Sequence, residues 1–272
     1  MLNKTLNKTI TIFPVPAFND NYLWVIHDDT TAIAVDPGDA TPVIDYLSAH
    51  DLTLNAILIT HHHGDHVGGI AELLTWCGEN IPVYAPADTK NSTIKGRTHL
   101  ADPRKNIPIT PLGLDFHVLS LPGHTLDHIA YVDANHGLCF CGDVLFAGGC
   151  GRLREGTPQQ AQHSLAQLRA LPPATKIFCA HEYTLDNLRF AIEVEPNNKA
   201  LQERIVTETK KRAENKPTLP TTIGLEIATN PFLRWDCEEV KHAAVRASSG
   251  KIAANAPPDM VFAEIRKWKD QF

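Results

Sequence analysis

The chain contains no apolar stretch near the roughly 20 residues that a bilayer-spanning helix requires, so no membrane partner is expected. Its first residues, "MLNKTLNKTITIF", lack the apolar region and cleavage site of a secretory signal. Cysteine is sparse and unpaired in pattern. Cys77, Cys139, Cys141, Cys150, Cys179 and Cys237 form no C-x-x-C motif, and most sit in apolar runs. They are expected as free, mostly buried thiols in a reducing cytoplasm. Neither sign of charge dominates. With 31 acidic and 25 basic residues the formal charge is -6, which speaks against a nucleic-acid backbone as partner. Internal repeats and low-complexity segments are also missing. What remains is 272 residues, 43% hydrophobic and 21% charged. That is enough to bury a sizeable core in one large domain, or a domain with an appendage.

Short β-type runs dominate the first part of the chain: "TITIF", "YLWVI", "TAIAV" and "NAILIT". "VDPGDATPVIDYL" follows the third as a turn and helix start, with Thr41 as expected N-cap, Pro42 at the first helical position, and Val43, Ile44 and Leu47 inward. "HVGGIAELLTW" spaces Val67, Ile70 and Leu74 for one helix face. "FHVLSL", "HIAYV", "GLCFC" and "KIFCA" are further strands. Between the last two, "TPQQAQHSLAQLRAL" opens with a capping box of Thr157 and Gln160 and carries Leu165 and Leu168 on one stripe. After about residue 181 the pattern turns helical: "TLDNLRFAIEV", "KALQERIVTETKKRAEN" with Leu201 and Ile205 inward, a linker "KPTLPTT", then "CEEVKHAAVRA" and "DMVFAEIRKWK". The expected plan is an α/β domain over residues 1–181 with a helical appendage over 182–272.

Five apolar runs end in a carboxylate or imidazole. "TAIAV" runs into Asp36. "NAILIT" runs into His61, His62, His63, Asp65 and His66. "FHVLSL" leads to His124, "GLCFCG" to Asp143 and "KIFCA" to His181. Strand ends on one sheet edge are where α/β folds assemble sites. A solvated loop has no need of four imidazoles and a carboxylate in six positions, whereas a metal uses them. Strand alternation turns His62 away from His61 and His63. His27, His50, His99, His117, His136, His163 and His242 read as ordinary surface or packing groups. His128, four residues after His124, is either a support for a ligand or a packed side chain.

The H-x-H-x-D-H pattern of His61, His63, Asp65 and His66, followed by His124, Asp143 and His181, resembles the signature of the metallo-β-lactamase fold. "VDPGDA", "THHHGDHVGG", "GCGRLREGT", "AHEYTLDNLRFA", "NPFLR" and the terminal "RKWKDQF" resemble, more narrowly, the hydroxyacylglutathione hydrolases, or glyoxalase II enzymes. The resemblance runs from near residue 18 to the C-terminus. It implies an αββα sandwich with a C-terminal helical, substrate-binding domain. It also implies two divalent metal ions, with zinc first and iron or manganese as alternatives. His61, His63 and His124 would hold one ion, Asp65, His66 and His181 the other, and Asp143 would bridge them. Asp65 and Asp143 are thus the carboxylates of the catalytic centre, and Asp36 orients the loop without ligating. A hydroxide shared by the two ions would attack the thioester carbonyl. The implied substrate is S-D-lactoylglutathione or a related S-(2-hydroxyacyl)glutathione, cleaved to glutathione and a 2-hydroxy acid in the second step of methylglyoxal detoxification. Arg152, Tyr183, Arg266 and Lys269 would bind it. The enzyme is expected to be a cytoplasmic monomer. Two positions depart from the family pattern: Arg154, where an aromatic residue is usual, and Asp127, where glycine is usual. Two other classes stand beside this reading. One is a glutathione persulfide dioxygenase or another thioesterase, lactonase or β-lactamase of the same fold. The other is a non-catalytic metal-binding module, whose closed site would be richer in thiolates.

Overall fold

The computed structural model describes residues 9–87 and 105–272, with the backbone alone of 98–100, so the side chain of His99 lies outside the described residues. The described residues group into two compact units, one ending at Val118 and the other running from Leu119 to Phe272.

The first unit is built on a six-stranded sheet. Its strands lie in chain order: β1 (Thr11–Ala17), β2 (Asn21–His27), β3 (Thr31–Val35), β4 (Thr53–Leu58), β5 (Val83–Ala85) and β6 (Thr98–Leu100). β1, β2 and β3 pair antiparallel, and β3, β4, β5 and β6 pair parallel. β1 is the edge strand. It alternates in exposure and carries Pro14 and Pro16, which an interior strand would not accept. β2 and β3 are buried almost throughout, as expected of strands covered on both faces. α1 (Ala40–Ala49) and α3 (Ile70–Cys77) pack Val43, Leu47, Ile70 and Leu74 into the core with Val25, Ala34 and Ile57. Each fully buried Val, Leu or Ile is worth about 1.5–3 kcal/mol. An antiparallel pair, β7 (Ile107–Ile109) with β8 (Leu114–Ser120), follows, and the chain passes into the second unit within β8.

Two local expectations differ from what is found here. The N-cap of α1 is Asp39, not Thr41: its carboxylate accepts the Thr41 N–H at 3.0 Å. Asp is at least as good a cap as Thr, and Pro42 is tolerated within the first turn because it has no N–H to satisfy. The expected helix over "HVGGIAELLTW" is two helices, α2 (Gly64–Val67) and α3. Gly68 and Gly69 separate them because they press against the chain at 37–40. A Cβ on Gly68 would stand 2.6 Å from the Gly38 carbonyl oxygen, and one on Gly69 would stand 2.4 Å from the Ala40 nitrogen.

In the second unit, β9 (Ile129–Asp133), β10 (Leu138–Gly142), β13 (Lys176–Cys179) and β14 (Thr221–Thr222) are adjacent. β10 and β13 are parallel and the outer pairings antiparallel. Between β10 and β13 lie a small hairpin, β11 (Leu145–Phe146) with β12 (Gly149–Cys150), and α4 (Pro158–Arg169). α4 begins with the expected capping box of Thr157 and Gln160 and buries Leu165 and Leu168. The helical part comprises α5 (Thr184–Val194), α6 (Lys199–Ala213), α7 (Ile223–Thr229), α8 (Glu238–Ala247) and α9 (Pro258–Gln271). The "KPTLPTT" linker is not wholly irregular: its last two residues form β14 on the edge of β13. α7 carries no periodic stripe long enough to stand out in the sequence. All six cysteines are free, four of them buried. Burial raises every one of their pKa values, that of Cys139 to about 12, so they are neutral thiols. No described helix is long and apolar enough to cross a membrane.

Candidate active site

In the first unit, β3 and β4 run parallel and so end at the same edge. Asp36 leaves β3 with φ 51°, a left-handed backbone that few non-glycine residues adopt. The turn faces its carboxylate toward the end of β4. One oxygen accepts the Thr60 N–H at 2.7 Å, and the other accepts the Thr60 hydroxyl at 2.7 Å and lies 3.0 Å from His66 Nδ1. This assigns proton positions. The Thr60 hydroxyl spends its proton on Asp36, so it accepts from His61 Nδ1–H, 3.1 Å away. His61 Nε2 is left with a lone pair. His61 Nε2 and His63 Nδ1 are 3.0 Å apart. Two imidazole nitrogens each about 2.0–2.1 Å from one tetrahedral zinc ion stand about 3.3–3.4 Å apart, so this pair needs to open by only a few tenths of an ångström to share a cation. His66 Nε2 lies 3.5 Å from Asp65 Oδ2, long for a hydrogen bond and suitable for two donors to one ion. Asn21 donates to that same Asp65 oxygen at 3.1 Å.

In the second unit, β10 and β13 are also parallel, and their ends deliver Asp143 and His181. The two oxygens of Asp143 face different histidines: Oδ2 is 3.5 Å from His124 Nε2 and Oδ1 is 3.4 Å from His181 Nε2. Each oxygen therefore faces its own histidine. His124 Nδ1 donates to the Arg152 carbonyl at 2.8 Å, which puts the ring proton on Nδ1 and the lone pair on Nε2, the atom that faces Asp143. His128 is buried, and its Nε2 accepts the Asp143 backbone N–H at 3.1 Å. That lone pair is therefore spent, and His128 supports Asp143 rather than ligating. The donor chemistry of both units thus fits divalent cations: neutral imidazoles with assigned lone pairs, and carboxylates.

A cavity of about 470 Å³ opens beside Asp143 and His124, and Arg152, Tyr183, Arg266 and Lys269 all line it. The volume lies within the usual range for small-molecule sites. The Tyr183 ring stacks on His181 at 4.7 Å, nearly parallel, and Phe146 meets both edge-on. Arg152 and the departing residue Arg154 are exposed. The other two cations differ from them. Arg266 is only 4% exposed, and it is anchored: Nη1 donates to the Cys150 carbonyl at 3.1 Å and Nη2 to Asp270 at 2.8 Å. Lys269 donates to the Asp186 carbonyl at 3.1 Å and faces the Phe190 ring. Burial first, then the neighbouring Arg266, lowers its pKa to about 8. Asp127 accepts from the Thr125 hydroxyl at 2.6 Å and shapes the loop after His124.

Sequence reasoning missed Thr60 and Asn21 and left His128 open. Thr60 is adjacent to the histidine cluster and carries a hydroxyl, which is a usable signal. Asn21 lies 44 residues from Asp65 and has none. His50, His117, His136, His163 and His242 are exposed, and His27 bonds Tyr46 away from these residues. His62 is half-buried, its ring centroid 6.5 Å from that of His61.

Comparison with known proteins agrees with this donor chemistry. Residues 18–181 match the metallo-β-lactamase superfamily, which defines the fold class as α/β of that type, and its His and Asp donors are those of a divalent metal centre. Residues 182–272 match the hydroxyacylglutathione hydrolase C-terminus. A hydroxyacylglutathione hydrolase of Pseudomonas aeruginosa (strain LESB58) is 50% identical over 267 residues, 97% of this chain and 100% of that protein. Among solved structures, the BLEG-1 B3 metallo-β-lactamase is 27% identical with a TM-score of 0.59, covering 83% of this chain and 100% of its own. TTHA1623, solved in a di-iron-bound form, is 26% identical with a TM-score of 0.57, covering 81% and 100%. The chain belongs to the hydroxyacylglutathione hydrolase family of the metallo-β-lactamase superfamily.

Proposed function

We propose that this chain hydrolyses S-D-lactoylglutathione and related S-(2-hydroxyacyl)glutathiones to glutathione and a 2-hydroxy acid, the second step of methylglyoxal detoxification. The supporting observation is the arrangement around Asp143. Its two oxygens face two histidines, and the four residues nominated for substrate binding line the cavity beside it. In this reading His61, His63 and His124 would hold one ion, Asp65, His66 and His181 would hold the second, and Asp143 would serve both. Two ions, most readily zinc, with iron or manganese as alternatives, supply water activation and carbonyl polarisation at neutral pH when bound. The protein's own residues do the rest. Thr60, its hydroxyl held by Asp36, sets the tautomer of His61, and the Arg152 carbonyl sets that of His124. Glutathione brings two carboxylates and one ammonium. Arg152, Lys269 and the buried Arg266 present fixed positive charge to them, and Tyr183 lies beside His181 to meet the cysteinyl part. Phe146 and Tyr183 exclude water from one wall. The thiolate leaves readily and needs no strong acid.

Residues 1–181 are the catalytic domain in this reading, and 182–272 the substrate-binding domain. The enzyme is a cytoplasmic monomer without nucleic-acid or membrane partners; a net charge of -6 supports the former exclusion. A steady-state assay with S-D-lactoylglutathione, following loss of thioester absorbance alongside metal analysis, tests it. Turnover with close to two metals per chain is expected. One iron per chain with oxygen consumption on a glutathione persulfide would overturn it.

A further inference from the structure

The β11–β12 hairpin is buried from end to end, since every residue from Cys141 to Cys150 is buried and the turn residue Ala147 is only 1% exposed. Its turn, Ala147–Gly148, is pressed onto α5. A Cβ on Gly148, whose φ is +72°, would stand 2.9 Å from Leu188, and one on Gly149 2.5 Å from Asn187. Water cannot satisfy the backbone of such a turn, so side chains must. They come from the helical segment. Glu226 Oε2 accepts the Gly148 N–H at 2.9 Å. Asn230 Nδ2 donates to the Gly149 carbonyl at 2.9 Å and lies 3.3 Å from that of Phe146. Asn187 Nδ2 donates to the Ala147 carbonyl at 3.2 Å. Glu226 is itself held. Its Oε2 also accepts from Asn230 at 2.9 Å, and its Oε1 takes Arg204 Nη2 and the Thr221 hydroxyl, each at 2.6 Å.

The base of the hairpin carries metal-site geometry. Gly151 N–H donates to the Val144 carbonyl at 3.2 Å, and its Cα lies so close to Asp143 that a Cβ would stand 1.9 Å from the Asp143 carbonyl oxygen. The next residue, Arg152, supplies the carbonyl that orients His124. A shift of the hairpin therefore moves both the bridging carboxylate and the group that sets the His124 tautomer. We infer that Glu226, with Asn230, is a positioning residue for the metal centre: it clamps the turn of the hairpin and so holds Asp143 and the Arg152 carbonyl in place. The inference rests on Asp143 and His124 being ligands.

The test must separate this role from the buried charge of Glu226, because removing that residue alone strands Arg204. Two double variants do so. Arg204→Met/Glu226→Gln removes the ion pair but keeps an amide oxygen for Gly148 N–H and Asn230, its amide nitrogen turning to the Thr221 hydroxyl. Arg204→Met/Glu226→Leu removes the pair and the acceptor together. Zinc affinity of each apoprotein is measured by competition with a chromophoric chelator, and kcat and KM with S-D-lactoylglutathione on zinc-loaded enzyme. The Gln double variant should stay within about threefold of the parent in zinc affinity. The Leu double variant should bind at least about tenfold more weakly, as for other residues that orient metal ligands, with kcat falling more than KM. Equal zinc affinity in the two would overturn the inference. If the Leu variant does not fold, Asn230→Ser decides, since it keeps the ion pair and a side-chain oxygen to cap the Phe232 N–H while shortening the clamp. Weakening of threefold or more supports the inference, and parental affinity overturns it. Failure of the underlying reading looks different: the parent chain itself would bind no zinc.

Discussion

At the scale of single residues, the histidine tautomers follow from what each Nδ1 meets, and the sharpest consequences lie there. Thr60→Val removes the acceptor for His61 Nδ1–H while keeping the side chain's shape. Metal affinity should fall by about tenfold or more, read by chelator competition, with little change in KM. Asp143→Ala removes the carboxylate that faces both His124 and His181, and in the proposed two-ion reading it would leave two cations without a shared anion. Activity should be nearly abolished and metal substoichiometric. Two bound metals with normal turnover would end the bridging assignment. Lys269 yields a pH dependence. Its pKa is lowered to about 8, first by burial and then by Arg266, against the opposing pull of Asp186. The side chain is therefore charged below about pH 8 and neutral above it. For a substrate with two carboxylates, kcat/KM should decline as pH rises through that value. Lys269→Met should flatten this limb, and Lys269→Arg should keep the rate and shift the limb away. An identical limb in Lys269→Met would assign it to another group.

At the scale of elements, positions where backbone meets backbone decide tolerance. Gly64 opens α2 with nothing within 4 Å of an added Cβ, whereas a Cβ on Gly69 would meet the Ala40 nitrogen at 2.4 Å and the Pro37 oxygen at 2.7 Å. Gly69→Ala should lower stability by about 1–3 kcal/mol, the usual cost of overpacking. Gly64→Ala should be neutral or slightly stabilising. Urea titrations of both variants check the contrast, and equal midpoints would show that the 37–40 loop yields without cost. α9 illustrates a subtler point. Its sequence spaces Arg266 and Lys269 for one face, and both line the cavity. Arg266 nevertheless also carries structure, since it satisfies the Cys150 carbonyl. Replacing it mixes binding with folding, so Lys269 is the cleaner probe of charge recognition.

At the scale of the whole molecule, the helical segment is woven into the second unit. β14 pairs Thr221 and Thr222 with Ile177 and Lys176 of β13, and Glu226 satisfies Gly148. A fragment of residues 1–181 would leave that strand edge and that buried N–H open. It should lack cooperative unfolding and bound metal, measured by thermal circular dichroism and metal analysis; a folded, metal-loaded fragment would show that the segment is separable. Whatever depends on near neighbours and on strand and helix periods could be read from the chain directly. The donors stand just past strand ends, the capping box opens α4, and the apolar stripes of α1, α3 and α4 face inward. That reading misplaced the N-cap of α1 by two residues, because Asp39 and Thr41 compete on nearly equal terms. Partnerships between distant residues emerge only in the folded molecule. His128 meets Asp143 across 15 positions, Asn21 meets Asp65 across 44, Glu226 meets Gly148 across 78, and Arg266 meets Cys150 across 116. A hydrogen bond needs its partner within about 3 Å, and at those separations only the packing of the folded chain selects which carbonyl or carboxylate that partner is.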